Sequence, residues 1–120
     1  MYQILLIDDD FFERDLVKDI CDRTLNSRFQ LHYVKDMPDA LRLLGRIRFD
    51  LILLDNILST FTNAKNSVPL IKDKSQDTPI AIISNDVSAS YLSHPSIIGV
   101  DHIVEKTKLP VFLKLFQSMY

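Results

Sequence analysis

Two glycines are too few, and five prolines too scattered, to mark a flexible linker or a domain boundary. Cysteine is scarcer still. Cys21 has no partner for an internal disulfide, and no cysteines or histidines stand at zinc-ligand spacing, which excludes a disulfide scaffold and a zinc module. No apolar stretch approaches the roughly twenty residues of a membrane span, and the N-terminus has no charged region leading into a signal-type segment. Together these absences lead us to expect a cytoplasmic, reducing setting without a membrane partner. An excess of positive charge is missing as well: 14 Lys and Arg face 16 Asp and Glu, for a net charge of -2. Without a broad electropositive field the chain lacks the attraction to phosphate backbones on which nucleic-acid binders rely, so no direct nucleic-acid partner is expected.

What is present is a globular composition, 47% hydrophobic and 25% charged over 120 residues, enough for one sizeable core and too little for two. Residues 1–120 read as a single domain. Apolar runs recur at Ile4-Leu5-Leu6-Ile7, Leu51-Ile52-Leu53-Leu54 and Ile80-Ala81-Ile82-Ile83. They do not alternate with polar residues, which marks strands buried on both faces, as in a parallel sheet covered by helices. Phe29 to Val34 and Gly99 to Val104 supply two weaker strands.

Helical spacing lies between the runs. Phe12, Leu16 and Ile20 with Val17 and Cys21 form one stripe, and Ala40, Leu41, Leu44 and Ile47 form another behind the start signal Asp36-Met37-Pro38. Val111, Phe112, Leu115, Phe116 and Met119 form a third, starting at Pro110. Ser59 to Lys74 has the least pattern, with only Val68, Leu70 and Ile71 as an apolar face, and Asp73-Lys74-Ser75-Gln76-Asp77 reads as a solvated loop. The alternation predicts an α/β domain, a doubly wound five-stranded parallel sheet with helices on both faces.

Ligands of such sheets bind beyond the carboxyl ends of the strands. There the runs end in Asp8-Asp9-Asp10, Asp55 and Ser84, and the last strand continues through Glu105 to Lys106. Several carboxylates at close quarters repel one another, and a hard cation such as Mg²⁺ relieves that with oxygen ligands. A lysine and a hydroxyl beside them complete the parts for phosphoryl transfer to a carboxylate nucleophile.

In these residues the chain resembles the receiver domain of two-component response regulators. Ile4 to Asp10 looks like the family's first strand and acid pair, Leu51 to Asp55 like the strand ending in the phosphoacceptor, Ala81 to Ser84 like the hydroxyl-bearing strand, and Gly99 to Lys106 like the last strand and lysine. The resemblance implies a flavodoxin-like sheet of order 2-1-3-4-5. It implies Asp55 as phosphoacceptor, and Asp8, Asp9, Asp55 and the Ile57 backbone carbonyl as Mg²⁺ ligands. Ser84 and Lys106 would bind the phosphoryl oxygens. A histidine kinase or phosphotransfer protein would be the donor, and a downstream output protein or domain the recipient of the signal. The chain would then be no ordinary enzyme but a phosphoacceptor that assists its own phosphorylation and dephosphorylation.

Departures accompany the match. Leu58-Ser59 replaces a Met-Pro pair after Asp55, Asn85 stands where a small residue is usual, Thr107 replaces the proline after the lysine, and Ile103 occupies the aromatic switch position. These departures keep a second reading open, a degenerate receiver that binds partners without being phosphorylated. A third, an aspartyl phosphatase, would need an acid two residues after the nucleophile, where Ile57 stands. Asp10 is read as a helix cap, Cys21 and Phe12 as core, and Phe11 as exposed beside the site. His32, His94 and His102 are assigned no catalytic role.

Overall fold

Long-range pairing of the apolar runs organises the molecule. The computed structural model describes residues 1–26, 28–59, 62–75 and 77–119. Strands β1 (Tyr2–Ile7), β2 (Phe29–Val34), β3 (Leu51–Asp55), β6 (Ile80–Ser84) and β7 (His102–Glu105) form one sheet in the order β2-β1-β3-β6-β7, every pair parallel. Counting those five alone, the order is the expected 2-1-3-4-5. Residues alternate between faces along each strand, so every apolar run feeds two cores. Leu5, Ile7, Ile52 and Leu54 pack with Ala40, Val68 and Ile71, under helices α2 (Met37–Leu44) and α3 (Ala64–Ser75). Ile4, Leu6, Leu51 and Leu53 pack with Val17, Cys21, Leu113 and Phe116, under α1 (Phe11–Thr24) and α5 (Leu109–Met119). Each fully buried Leu or Ile contributes about 1.5–3 kcal/mol relative to exposure, which is why these runs dictate the topology.

Helix starts follow the sequence signals. Asp10 caps α1 by accepting the Phe12 N–H at 3.0 Å, and Asp36 caps α2 by accepting the Asp39 N–H at 3.0 Å, ahead of Pro38 in the first turn. Two helical stripes differ from expectation. On α1 the buried residues are Val17, Ile20, Cys21 and Thr24, whereas Phe12 is 82% exposed and Leu16 is also exposed. At 3.6 residues per turn, the face set by Val17, Ile20 and Thr24 runs back to position 13, not 12. On α5, Leu109, Leu113 and Phe116 are buried while Val111, Leu115 and Met119 face outward.

The stretch from Ser59 to Lys74 contains more order than its pattern shows. A two-stranded antiparallel ribbon, β4 (Ile57–Ser59) with β5 (Thr62–Asn63), follows directly on β3, and α3 then runs to Ser75. Asp73 to Ser75 are thus helical and not loop, and Thr60, Phe61 and Gln76 lie outside the described residues. Between β6 and β7 lie a 3-10 turn (Ser90–Leu92) and a single-turn helix, α4 (Pro95–Ile98). Pro95 opens α4 and Gly99, at φ 74°, closes it in the left-handed conformation that only glycine adopts without strain, so β7 begins at His102 and not at Gly99. Among the described residues no helix is long and apolar enough to cross a membrane.

Candidate phosphoacceptor site

All five parallel strands point their carboxyl ends to one edge, and the sequence has placed its acids there. Asp8 follows β1, Asp55 ends β3, Ser84 ends β6, and Lys106 follows Glu105 at the end of β7, in a 3-10 turn (Lys106–Lys108). Asp8, Asp9, Asp55, Ile57, Ser84 and Lys106 all line one cleft of about 500 Å³, together with Glu13, Asn56, Asn85 and Tyr91.

Asp8 is fully buried. Its Oδ1 accepts the Asp10 N–H at 2.9 Å, and its Oδ2 has no hydrogen-bond partner, lying 3.8 Å from Lys106 Nζ. Carboxylate oxygens of Asp8, Asp9 and Asp55 lie within 4.8 Å of one another. Lys106 Nζ sits 3.6 Å from Asp55 Oδ1 and donates to Glu13 Oε1 at 3.3 Å. A buried, unpartnered carboxylate oxygen between two further carboxylates is the donor set of a hard, oxygen-preferring divalent cation, so the residues present fit Mg²⁺.

Electrostatics follow from that crowding. Burial, then the charge of Asp8, push the Asp55 carboxyl up to about 7 despite Lys106. Burial likewise raises Asp8 above the usual carboxylate range, against the pull of the Asp10 N–H and Lys106. Burial alone would lower the Lys106 ammonium, but Asp55, Asp8 and Glu13 outweigh it and hold its pKa above the ordinary lysine value.

Ser84 is buried, and its hydroxyl is engaged by its own loop: Oγ donates to the Asp86 carbonyl at 2.8 Å and accepts the Asp86 N–H at 3.3 Å. Asn85 is exposed on the cleft wall, and the Asp55 side chain keeps 14% of its surface. Among the described residues no peptide bond is cis, so Lys106-Thr107 is trans, and the Thr107 hydroxyl donates to Glu105 Oε1 at 3.0 Å. Ile103 is half-buried against the α2–α3 face core.

Among the residues of the cleft, Asn56 and Glu13 escaped sequence reasoning. Asn56 is buried, and its Oδ1 accepts the Ala64 N–H at 3.4 Å and the Tyr91 hydroxyl at 3.0 Å, tying the residue after Asp55 to α3 and to the turn before α4. Neither partner is near Asn56 in sequence, so nothing local announced the pairing. Glu13 had a signal, its place on the buried stripe of α1, obscured because Phe12 looked like the apolar member.

The family model described as the response regulator receiver domain matches residues 4–114. The chain belongs to that family. Solved structures share the receiver fold. The receiver domain of sensor histidine kinase PA1611 from Pseudomonas aeruginosa PAO1, which has a magnesium ion coordinated in its active site cleft, is 18% identical with a TM-score of 0.77 and covers 98% of each chain. The phosphorylated cyanobacterial phytochrome response regulator RcpA is 20% identical, with a TM-score of 0.78 over 99% of this chain and 93% of that one. Chemotaxis response regulator CheY4 of Vibrio cholerae is 20% identical, with a TM-score of 0.78 over 100% and 99%. No curated protein matches the sequence. Receiver domains are signalling domains of two-component systems, and the acids, lysine and hydroxyl described above occupy the carboxyl edge of this receiver's sheet.

Proposed function

We propose that residues 1–120 act as one phosphorylatable receiver in which Asp55 accepts a phosphoryl group from a histidine kinase or phosphotransfer protein and passes the signal to an output protein or domain by contact. The observation that carries this reading is the position of Asp55, held between the Asp8-Asp9 pair and Lys106 in an open cleft. An Asp55 oxygen attacks phosphorus as the bond from phosphorus to the donor imidazole nitrogen breaks, and the electron pair stays on that nitrogen. Lys106 pairs with the transferred phosphoryl oxygens, and Ser84 leaves the Asp86 carbonyl to donate its hydroxyl proton to one of them. Asp8, Asp9, Asp55 and the Ile57 carbonyl would hold Mg²⁺, whose chemistry is to neutralise charge on the phosphoryl oxygens. The domain thus assists its own phosphorylation and dephosphorylation by supplying these groups, in a cytoplasmic setting where kinase donors are found.

A degenerate receiver is the second reading, favoured by Asn85 on the cleft wall and by the ribbon that follows Asp55. Incubation with phosphoramidate and Mg²⁺ followed by intact-mass measurement separates the two. The expected result is one phosphoryl group on the wild type and none on Asp55→Asn or in the presence of a chelator. A wild type that gains no mass supports the degenerate reading, and a shift retained in Asp55→Asn moves the phosphoacceptor elsewhere.

A further inference from the structure

Glu13 has no part in that reaction, yet it makes the shortest contact to its lysine. Of the three carboxylates around Lys106 Nζ, Glu13 accepts a hydrogen bond at 3.3 Å, while Asp55 and Asp8 stand off at 3.6 and 3.8 Å. The placement is built into α1: positions 13, 17, 20 and 24 share one helical face, and Val17, Ile20 and Thr24 are buried against the sheet. Glu13 heads that stripe one turn inside the Asp10 cap, so its side chain lies over the carboxyl edge of the strands and is only 16% exposed.

We propose that Glu13 is the resting partner of Lys106, a positioning residue that holds the ammonium toward α1 until a phosphoryl group on Asp55 draws it away; this inference rests on the receiver reading above. Among the described residues Lys106 is the only cation lining the cleft, against Asp8, Asp9, Asp55 and Glu13. A phosphoryl group brings roughly two negative charges where Glu13 offers one, and the exchange therefore runs toward the phosphoryl. Once vacated, the Glu13 carboxylate remains in the first turn of α1, where the helix dipole favours a negative charge. Glu13 thus sets a threshold: it withholds Lys106 and adds a negative charge in the path of an anionic donor.

Glu13→Gln keeps the size and removes the charge. With Mg²⁺ fixed, the phosphoramidate concentration giving half-maximal phosphorylation is expected to fall about threefold to tenfold, and the difference to shrink at high salt. In the metal-free protein the Lys106 ε-methylene NMR signal is expected to move in Glu13→Gln toward its beryllofluoride-bound position. Phosphorylation of wild type and variant with the same half-saturation, or an unmoved Lys106 signal, overturns the assignment of Glu13. A wild type that takes no phosphoryl group overturns the receiver reading, and the exchange falls with it.

Discussion

Asp8 and Asp55 show what it takes to gather acids at a sheet edge. Each was identifiable in the sequence as the acid closing an apolar run, but the energetic consequence depends on burial that only the fold supplies. With its carboxyl pushed up to about 7, Asp55 holds a proton in the folded chain that it has lost in the unfolded one from about pH 4 upward. The native state therefore binds more protons than the unfolded state across that interval, and stability falls as pH rises through it. Thermal unfolding without divalent cations should show a lower Tm at about pH 8 than at about pH 5. Saturating Mg²⁺ should raise Tm most at the higher pH, where Asp55 is ionised, and Asp55→Asn should flatten the dependence. Ser84 was equally legible as a strand-end hydroxyl. Its bonds with Asp86 were not, because they depend on a loop whose shape no periodicity encodes.

Helices α1, α2 and α5 were legible in existence and start, and α1 and α5 less so in the face they turn inward. On α1, the pairs Phe12–Leu16 and Glu13–Val17 fit the same spacing, and hydrophobicity alone chose the wrong one. The face is decided instead by the polar head that Lys106 can satisfy and by the fit of Val17, Ile20 and Cys21 against Ile4 and Leu6. Urea unfolding should register this choice. Ile20→Ala should cost about 2–4 kcal/mol, as a buried large-to-small change, whereas Phe12→Ala should stay within about 0.5 kcal/mol. The same ambiguity misplaced Val111, Leu115 and Met119 on α5, where Leu109, Leu113 and Phe116 fill the core. Short elements escaped for another reason. The β4–β5 ribbon and the single-turn α4 carry too few residues to show a period, and Pro95 with Gly99 limits α4 to one turn.

At the scale of the whole molecule, the unbroken apolar runs and the lengths between them made the parallel sheet legible, while the order of its strands came from the resemblance to receiver domains and is the order that the fold shows. That order also divides the site between unequal partners. Asp8 and Asp55 are delivered by β1 and β3, flanked on both sides, while Lys106 is delivered by β7, which pairs only with β6 and leaves its other edge open. Edge strands open more readily than central ones. Native-state hydrogen exchange should accordingly find the β7 amides exchanging through smaller openings than those of β1 and β3. Each such opening carries away the cation that balances the acids, so the cleft becomes briefly more acidic while the rest of the sheet stays folded. The strand that completes the charge balance of the site is thus one that the sheet holds from one side only.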